Sequence, residues 1–390
     1  MRVAVVHPVY TPFGGGARMI DDIVRLLSQA GAEVTMLVRR WSGEPPPGVE
    51  IRRFEPFHIG STWRDWGFER AVAPALGSGF DLVVSDQKIP GVEVYIAGGG
   101  VHREYIAHRM RRAGTLARFA LALRPHVRYT ATAESRLFGS PRLRAVICVS
   151  RRTRDDIVRW YGLPPQRLHV IPNGIDTRRF DAAWRDEHRA ESRRQFALDD
   201  AFTLAFVGSG FERKGLAPLL RAMARSRLDD SGLDVRLLVA GKDRHMRRFE
   251  RLAHQLGLGE RVRFLGPVVD VRPVYAAADA TALLSSFEPF GLGPLEGLSM
   301  GLPTLVSREA GVSELITDGV EGWRVDPDDT VAVAGRLREL AQRHRSMRAA
   351  CIALASRHDS SAMLASMRAL FESLDQPLDG DRRRSTGLSA

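Results

Sequence analysis

Cysteine is nearly absent from this chain. The two present among 390 residues, Cys148 and Cys351, lie far apart and in no ligand-like spacing with histidine, a usage that fits a reducing compartment rather than a stapled or metal-ligated fold. No uninterrupted apolar run reaches the roughly 18–20 residues that a membrane span requires. No basic, then apolar, cleavable leader precedes the strand-like run Val3–Val6, so the chain is expected to be made and kept inside the cell. Cations interleaved with aromatics, as used on single-stranded nucleic acid, are missing, and so is any helix-turn-helix or RNA-binding signature, so nucleic acid is not an expected partner. No repeat shorter than a domain is evident.

What is present is ample material for two cores. The length exceeds what one core usually supports, and the 44% apolar content excludes global disorder. Charge is lopsided: 57 Lys and Arg against 46 Asp and Glu give +11, with an isoelectric point near 10.4. Such a surface attracts nucleic acid, anionic membrane or phosphorylated substrate without choosing among them, and an arginine-rich genome would produce the same balance.

Short β-branched runs alternate with helical patterns. Val3–Val6, Val34–Val38, Leu82–Ser85, Val94–Ala97 and Val146–Val149 form one series, and Leu204–Val207, Val235–Ala240, Val262–Leu265, Thr281–Ser285 and Thr304–Ser307 a second. Alternation of this kind predicts α/β domains with parallel sheets covered on both faces, and ligands beyond the carboxyl ends of the strands. The seam is expected near Pro164-Pro165 and Pro172-Asn173-Gly174. The predicted organisation is a first domain over 1–165, a second over 166–355, a closing helix over 356–376 and a disordered tail over 377–390.

The richest constellation runs from Ser286 to Glu296, after the strand Thr281–Ser285: Glu288, then Pro289-Phe290-Gly291-Leu292-Gly293-Pro294, then Glu296. Gly291 and Gly293 let backbone approach a ligand, Pro294 suits a first helical turn, and the exposed amides at a helix start suit a diphosphate. A second loop, Val207-Gly208-Ser209-Gly210-Phe211-Glu212-Arg213-Lys214-Gly215, sets two adjacent cations on a tight turn, where they can neutralise a leaving diphosphate with no metal ion.

The spacing Glu288-x7-Glu296 resembles the signature of the family 4 retaining glycosyltransferases, a family with the GT-B fold, in which two Rossmann-like domains face each other across a cleft. The resemblance covers essentially the whole chain. It implies that Glu288 contacts the donor sugar, that Glu296 contacts the ribose, and that the amides of Phe290, Gly291 and Leu292 bind phosphate. Gly208, Arg213, Lys214, Lys242 and Val268 complete the implied donor site, with Glu288, Arg213, Lys214 and His102 as the catalytic candidates. Many relatives carry Arg directly after the first glycine, where this chain has Ser209. The form Val-Gly-Ser-x-Phe-x-Arg-Lys-Gly, followed by Gly241-Lys242-Asp243 and Arg248-Phe249, is most similar to the subgroup of α-glucosyltransferases that build the lipopolysaccharide core.

In the first half, the run from Pro8 to Gly16 is a glycine loop at a strand's carboxyl end. It fails the dinucleotide fingerprint because Met19 stands where a third small residue belongs, although Arg39-Arg40 after the second strand could meet a 2′-phosphate. In similar enzymes this loop closes over donor phosphate and acceptor, which makes Gly15 and Gly16 candidates. His102 matches a histidine that lies near the reacting sugar in several relatives. From Arg103 to Arg128, cations including Arg109, Arg111, Arg112 and Arg118 are spaced among Ile106, Leu116, Phe119 and Leu123, a pattern suited to resting on an anionic bilayer beside a lipid-linked acceptor. Asn173-Gly174-Ile175-Asp176 resembles the turn near the family's interdomain linker and is read as architecture.

The expectation is therefore a metal-independent, cofactor-free retaining hexosyltransferase on the inner face of the cytoplasmic membrane. It would bind a nucleotide sugar, UDP-glucose first, and an anionic glycolipid or glycan such as lipopolysaccharide core. A nucleotide-sugar 2-epimerase of the same fold, and a membrane-surface scaffold without activity, are the competing readings.

Overall fold

The structure, a computed structural model, describes residues 1–10, 15–77, 79–228 and 233–375. The anticipated tail over 377–390 and the head of the glycine loop, Thr11–Gly14, lie outside the described residues.

Two all-parallel sheets organise the chain. The first has seven strands in the order Glu50–Arg53, Glu33–Val38, Arg2–Val6, Leu82–Ser85, Val94–Ile96, Ala145–Cys148, Leu168–Val170. The second has six, in the order Val262–Gly266, Val235–Ala240, Phe202–Val207, Ala280–Leu283, Thr304–Ser307, Gly322–Val325. The central strands are valine-, leucine- and alanine-rich because they are covered on both faces. Val3 and Val5 pack under the helices Gly15–Gln29 and Ser360–Asp375. Ala4 and Val6 point the opposite way, under Gly60–Leu76 and Pro125–Phe138, as the two-residue period of a strand requires.

Several expected boundaries move. The first sheet continues past residue 165, because Leu168–Val170 pairs with Ala145–Cys148. Within these two sheets three short strands escaped the sequence pattern: Glu50–Arg53 is an exposed edge, and Leu168–Val170 and Gly322–Val325 are short; the two-residue strands Val9–Tyr10 and Arg40–Trp41, paired apart from them, escaped it too. The anticipated closing helix over 356–376 is two elements. Thr330–Arg357 ends the second domain, and Ser360–Asp375 crosses back to pack Met363, Met367 and Phe371 on the first sheet.

Both crossings run side by side. Ile175 N donates to His358 O at 3.0 Å and Ser360 N to Ile175 O at 2.9 Å. The Asp359 carboxylate accepts from the Thr177 hydroxyl at 2.7 Å and the Ser361 hydroxyl at 2.6 Å. Burial would raise its pKa, but these hydrogen bonds hold it at about 2. The Asn173–Asp176 turn is thus pinned where the chain passes between domains, the architectural place expected of it. Cys148 and Cys351 are buried and unpaired, and burial pushes each thiol up to about 12.

Candidate active site

The strand Phe202–Val207 opens into a turn that only glycine can follow at two points. Gly208 has φ +136°, and a Cβ there would sit 2.6 Å from Lys214 Cε. Gly215 has φ +78°, and its Cβ would sit 1.8 Å from Leu284 O. Between them lies a single helical turn, Phe211–Lys214. Phe211 anchors it in the core, and its amide donates to Asp243 Oδ2 at 2.7 Å. Arg213 and Lys214 consequently leave the turn in one direction.

They meet Glu288. Lys214 Nζ lies 2.7 Å and Arg213 Nη1 2.8 Å from the same oxygen, Glu288 Oε2. Arg213 also donates to Phe287 O at 3.1 Å, and Ser286 N to Arg213 O at 2.9 Å, so the two loops are laced together. Burial opposes a charge on Glu288, yet the two cations hold its pKa below the usual carboxylate range. The carboxylate is therefore ionised at neutral pH and presses two positive charges into one corner.

The loop holding Glu288 leads into the helix Leu292–Ser299, whose N-cap is Gly291 at φ +98° with no side-chain cap. The amides at this end are free for an anion, and the helix dipole favours one. Glu296 is buried one turn on and accepts from the Tyr275 hydroxyl at 2.7 Å, which also reaches Gly293 O at 3.2 Å. Leu292 and Glu296 line a cavity of about 410 Å³ that continues to Met19, Asp21, Asn173 and Phe180.

Lys242 is exposed, with its amide bound to Ser209 Oγ at 3.0 Å, so Ser209 closes the glycine turn where an arginine was expected. Val268 is half-buried against the second core. Gly15 and Gly16 are the first residues of the helix Gly15–Gln29 rather than loop.

The first domain contributes the opposite wall. Ser150 Oγ donates to Pro289 O at 2.9 Å, and the amides of Arg151 and Arg152 donate to the Glu314 carboxylate at 2.9 and 2.8 Å. Tyr105 packs its ring 5.5 Å from Phe287, next to Glu288. On the same helix, His102–Arg111, the His102 amide donates to Glu134 at 2.8 Å, while ring Nε2 is buried without a partner. Burial, ahead of the nearby Lys88 charge, lowers His102 to about 4, so the imidazole is neutral and has a free nitrogen. The unfolded chain protonates this ring nearer 6.5. As pH falls, the unfolded state therefore binds the proton first, and stability declines between about 6.5 and 4. A His102→Gln chain is expected to lose less stability across that window, read as the difference in urea midpoints at pH 7 and 4.5. An equal loss would contradict the neutral assignment.

The basic stretch is three helices, His102–Arg111, Thr115–Ala122 and Pro125–Phe138. Arg109, Arg111, Arg112 and Arg118 are exposed, and several cations of the stretch also bond to neighbours. Arg103 donates to Ser135 Oγ at 2.8 Å, Arg111 to Glu104 at 3.0 Å, and Arg112 reaches across the domains to Asp328. Arg109 lies over the Tyr105 ring, and Arg118 donates to Ala113 O at 2.8 Å. Beside these cations the stretch also exposes apolar side chains: Leu116, Phe119 and Leu123 are 88, 68 and 54% exposed.

Sequence reasoning missed Tyr275 and Asp243 as holders of Glu296 and the cation turn. Asp243 stands in the Gly241-Lys242-Asp243 run, but nothing there shows that it holds the cation turn, and only the fold brings Tyr275 to Glu296.

Known proteins of the same kind were found along the whole chain. The family model "Glycosyltransferase Family 4" matches residues 13–179, and "Glycosyl transferases group 1" matches 188–357. A D-inositol 3-phosphate glycosyltransferase of Salinispora tropica is 29% identical over 87% of this chain and 76% of its own. A probable transglycosylase of Burkholderia thailandensis is 30% identical over 86% and 85%. The lipopolysaccharide glucosyltransferase WaaG of Escherichia coli K12 is 27% identical over 82% and 83%. A crystal structure of WaaG, a glycosyltransferase involved in lipopolysaccharide biosynthesis, superposes with TM-score 0.81 at 25% identity, over 94% of this chain and 99% of that one. The two-domain architecture is thereby the GT-B fold.

Proposed function

The chain belongs to the family 4 glycosyltransferases, and on that premise we propose that it transfers a hexosyl group, glucose from UDP-glucose first, with retention of configuration to a glycolipid or glycan acceptor. The observation that carries this reading is the single oxygen of Glu288 held by both Lys214 and Arg213 at 2.7 and 2.8 Å beside an uncapped helix start. In transfer, the donor's anomeric C–O bond to the diphosphate breaks and the acceptor hydroxyl attacks that carbon from the same face. The hydroxyl proton passes to the departing phosphate oxygen. Lys214, Arg213 and the amides of Phe290, Gly291 and Leu292 take up the developing negative charge. Glu288 accepts hydrogen bonds from sugar hydroxyls, Glu296 accepts from the ribose, and neutral His102 bonds the sugar or the acceptor. The cations supply the charge stabilisation, so no divalent ion is required.

A screen of thermal stabilisation and slow donor hydrolysis against UDP-glucose, UDP-galactose, UDP-GlcNAc, GDP-mannose and ADP-glucose, all in EDTA, tests this. One donor is expected to raise Tm and release free sugar. An isomerised donor would indicate a 2-epimerase, no response a surface scaffold, and strict dependence on added divalent ions would overturn the role of Arg213 and Lys214.

The relatives named for lipopolysaccharide and for D-inositol 3-phosphate support an acceptor that carries anionic groups. Peripheral contact with the inner membrane face is favoured by exposed Leu116, Phe119 and Leu123, flanked by Arg118 and Arg124. Replacing those three apolar residues by serine is expected to weaken binding to anionic vesicles about tenfold or more, at about 0.8 kcal/mol per buried methylene lost. Unchanged vesicle sedimentation would remove this patch from the membrane reading.

A further inference from the structure

Two strand ends of the first domain converge on one residue of the donor loop, Pro289, which stands between Glu288 and Phe290. Gly100, in the turn after the strand Val94–Ile96, meets its ring so closely that a Cβ there would sit 2.8 Å from Pro289 Cγ. Ser150, after the neighbouring strand Ala145–Cys148, meets its carbonyl: Ser150 Oγ donates to Pro289 O at 2.9 Å.

Ser150 is 1% exposed and caps the helix Arg151–Tyr161. Its oxygen accepts from Thr153 N at 3.2 Å and stands 3.0 Å from Thr153 Oγ1. A hydroxyl has one proton and two lone pairs. With both lone pairs turned to Thr153, the proton is left for Pro289 O, to which no other donor comes among the described residues. The helix cap thus aims the bond that crosses between the domains. Pro289 is buried, so losing that bond would leave its oxygen unpaired, which costs more than losing an exposed one.

Pro289 does not stand alone. Glu288 N donates to Glu309 O at 3.2 Å, Gly311 N to Glu288 O at 2.9 Å and Val312 N to Phe290 O at 2.8 Å. A Cβ at Gly311 would stand 2.1 Å from Pro289 O and 2.8 Å from Ser150 Cβ, so the two loops and the helix cap meet where no side chain fits. Segment 309–314 is itself tied to the first domain, through the Glu314 carboxylate on the amides of Arg151 and Arg152 and through the Arg152–Glu309 ion pair. The backbone that carries Glu288 is therefore held between this segment and Ser150, while its carboxylate leaves towards Lys214 and Arg213.

We propose that Ser150 is a positioning residue for transfer: through Pro289 its hydroxyl sets the Glu288 carboxylate and the Phe290 amide at the donor. The carboxylate belongs to the second domain and the hydroxyl to the first, so the donor site is complete only with the domains in this arrangement. The inference rests on the transferase reading, because the position of Glu288 matters only to a bound donor.

Ser150→Ala is expected to lower kcat about tenfold with donor KM little changed, and to raise the share of donor lost to water, since the loop is no longer held against the first domain. Thr153→Val is the control. It removes a hydroxyl from the same cap but leaves the Ser150 proton on Pro289 O, so kcat and the loss to water should stay at wild-type values. Glycine caps a helix nearly as well as serine, so Ser150→Gly gives the same comparison should the alanine variant fold poorly. With no ligand present, hydrogen exchange at the Gly311 and Val312 amides should quicken in Ser150→Ala and not in Thr153→Val. Equal kcat in the Ser150 and Thr153 variants would overturn the proposal, whatever the exchange shows. If the wild-type chain turns over no nucleotide sugar, the transferase reading is what fails, and the exchange comparison alone decides whether Ser150 holds the loop.

Discussion

Lys214→Ala is expected to lower kcat/KM by about 10²–10³, the cost of removing one well-placed donor from a developing anion. The loss should fall mainly on kcat, because the charge that Lys214 meets grows as the diphosphate departs. Stability should change little. Glu288 keeps Arg213 at 2.8 Å, so no buried charge is stranded, and a charged hydrogen bond of about 1.5–3 kcal/mol is the most that is lost. Single-turnover donor consumption together with thermal melts measures both. Transfer at the wild-type rate would remove Lys214 from the site, whereas a collapsed melting temperature would mean its role is structural.

Glu288→Ala carries the opposite balance. Its carboxylate is buried and is the anion that Lys214 and Arg213 share. Without it two cations are left facing each other. The cost is expected at or below the ~3–5 kcal/mol of a broken buried pair, because Arg213 remains 35% exposed and water can screen it. Transfer should fall by orders of magnitude, since the sugar loses its hydrogen-bond acceptor. Yet a nucleoside diphosphate supplies the missing negative charge, so UDP should raise the melting temperature more in the variant than in the wild type. An equal or smaller shift would separate the diphosphate from these cations. Glu288→Gln, which keeps shape and loses charge, should show the same enlarged shift with a smaller loss of stability.

Legibility followed the physics of each feature. Strands buried on both faces, such as Val3–Val6 and Leu237–Ala240, announce themselves as continuous apolar runs, and Leu82–Ser85 and Thr304–Ser307 fall on the residues expected. The edge strand Glu50–Arg53 has no apolar face to reveal it. The cation turn and the Glu288 loop were readable because glycine spacing is forced by close backbone approach and positive φ, which are local requirements. The partners of the cations from Arg103 to Arg128 were not readable, for the converse reason. Which of Glu104, Ser135 or Asp328 an arginine meets is decided by how the helices pack.

By itself, then, the sequence determined two parallel α/β domains, the glycine turns and the residue types at the donor corner, because strand burial and backbone conformation are set within a few neighbouring residues. Only the tertiary structure decided that Lys214 and Arg213 share one oxygen of Glu288 and that Tyr275 holds Glu296. Each of these is a meeting between elements far apart in the chain, and charge pairing and burial are properties of such meetings, fixed only when the sheets and helices close around them.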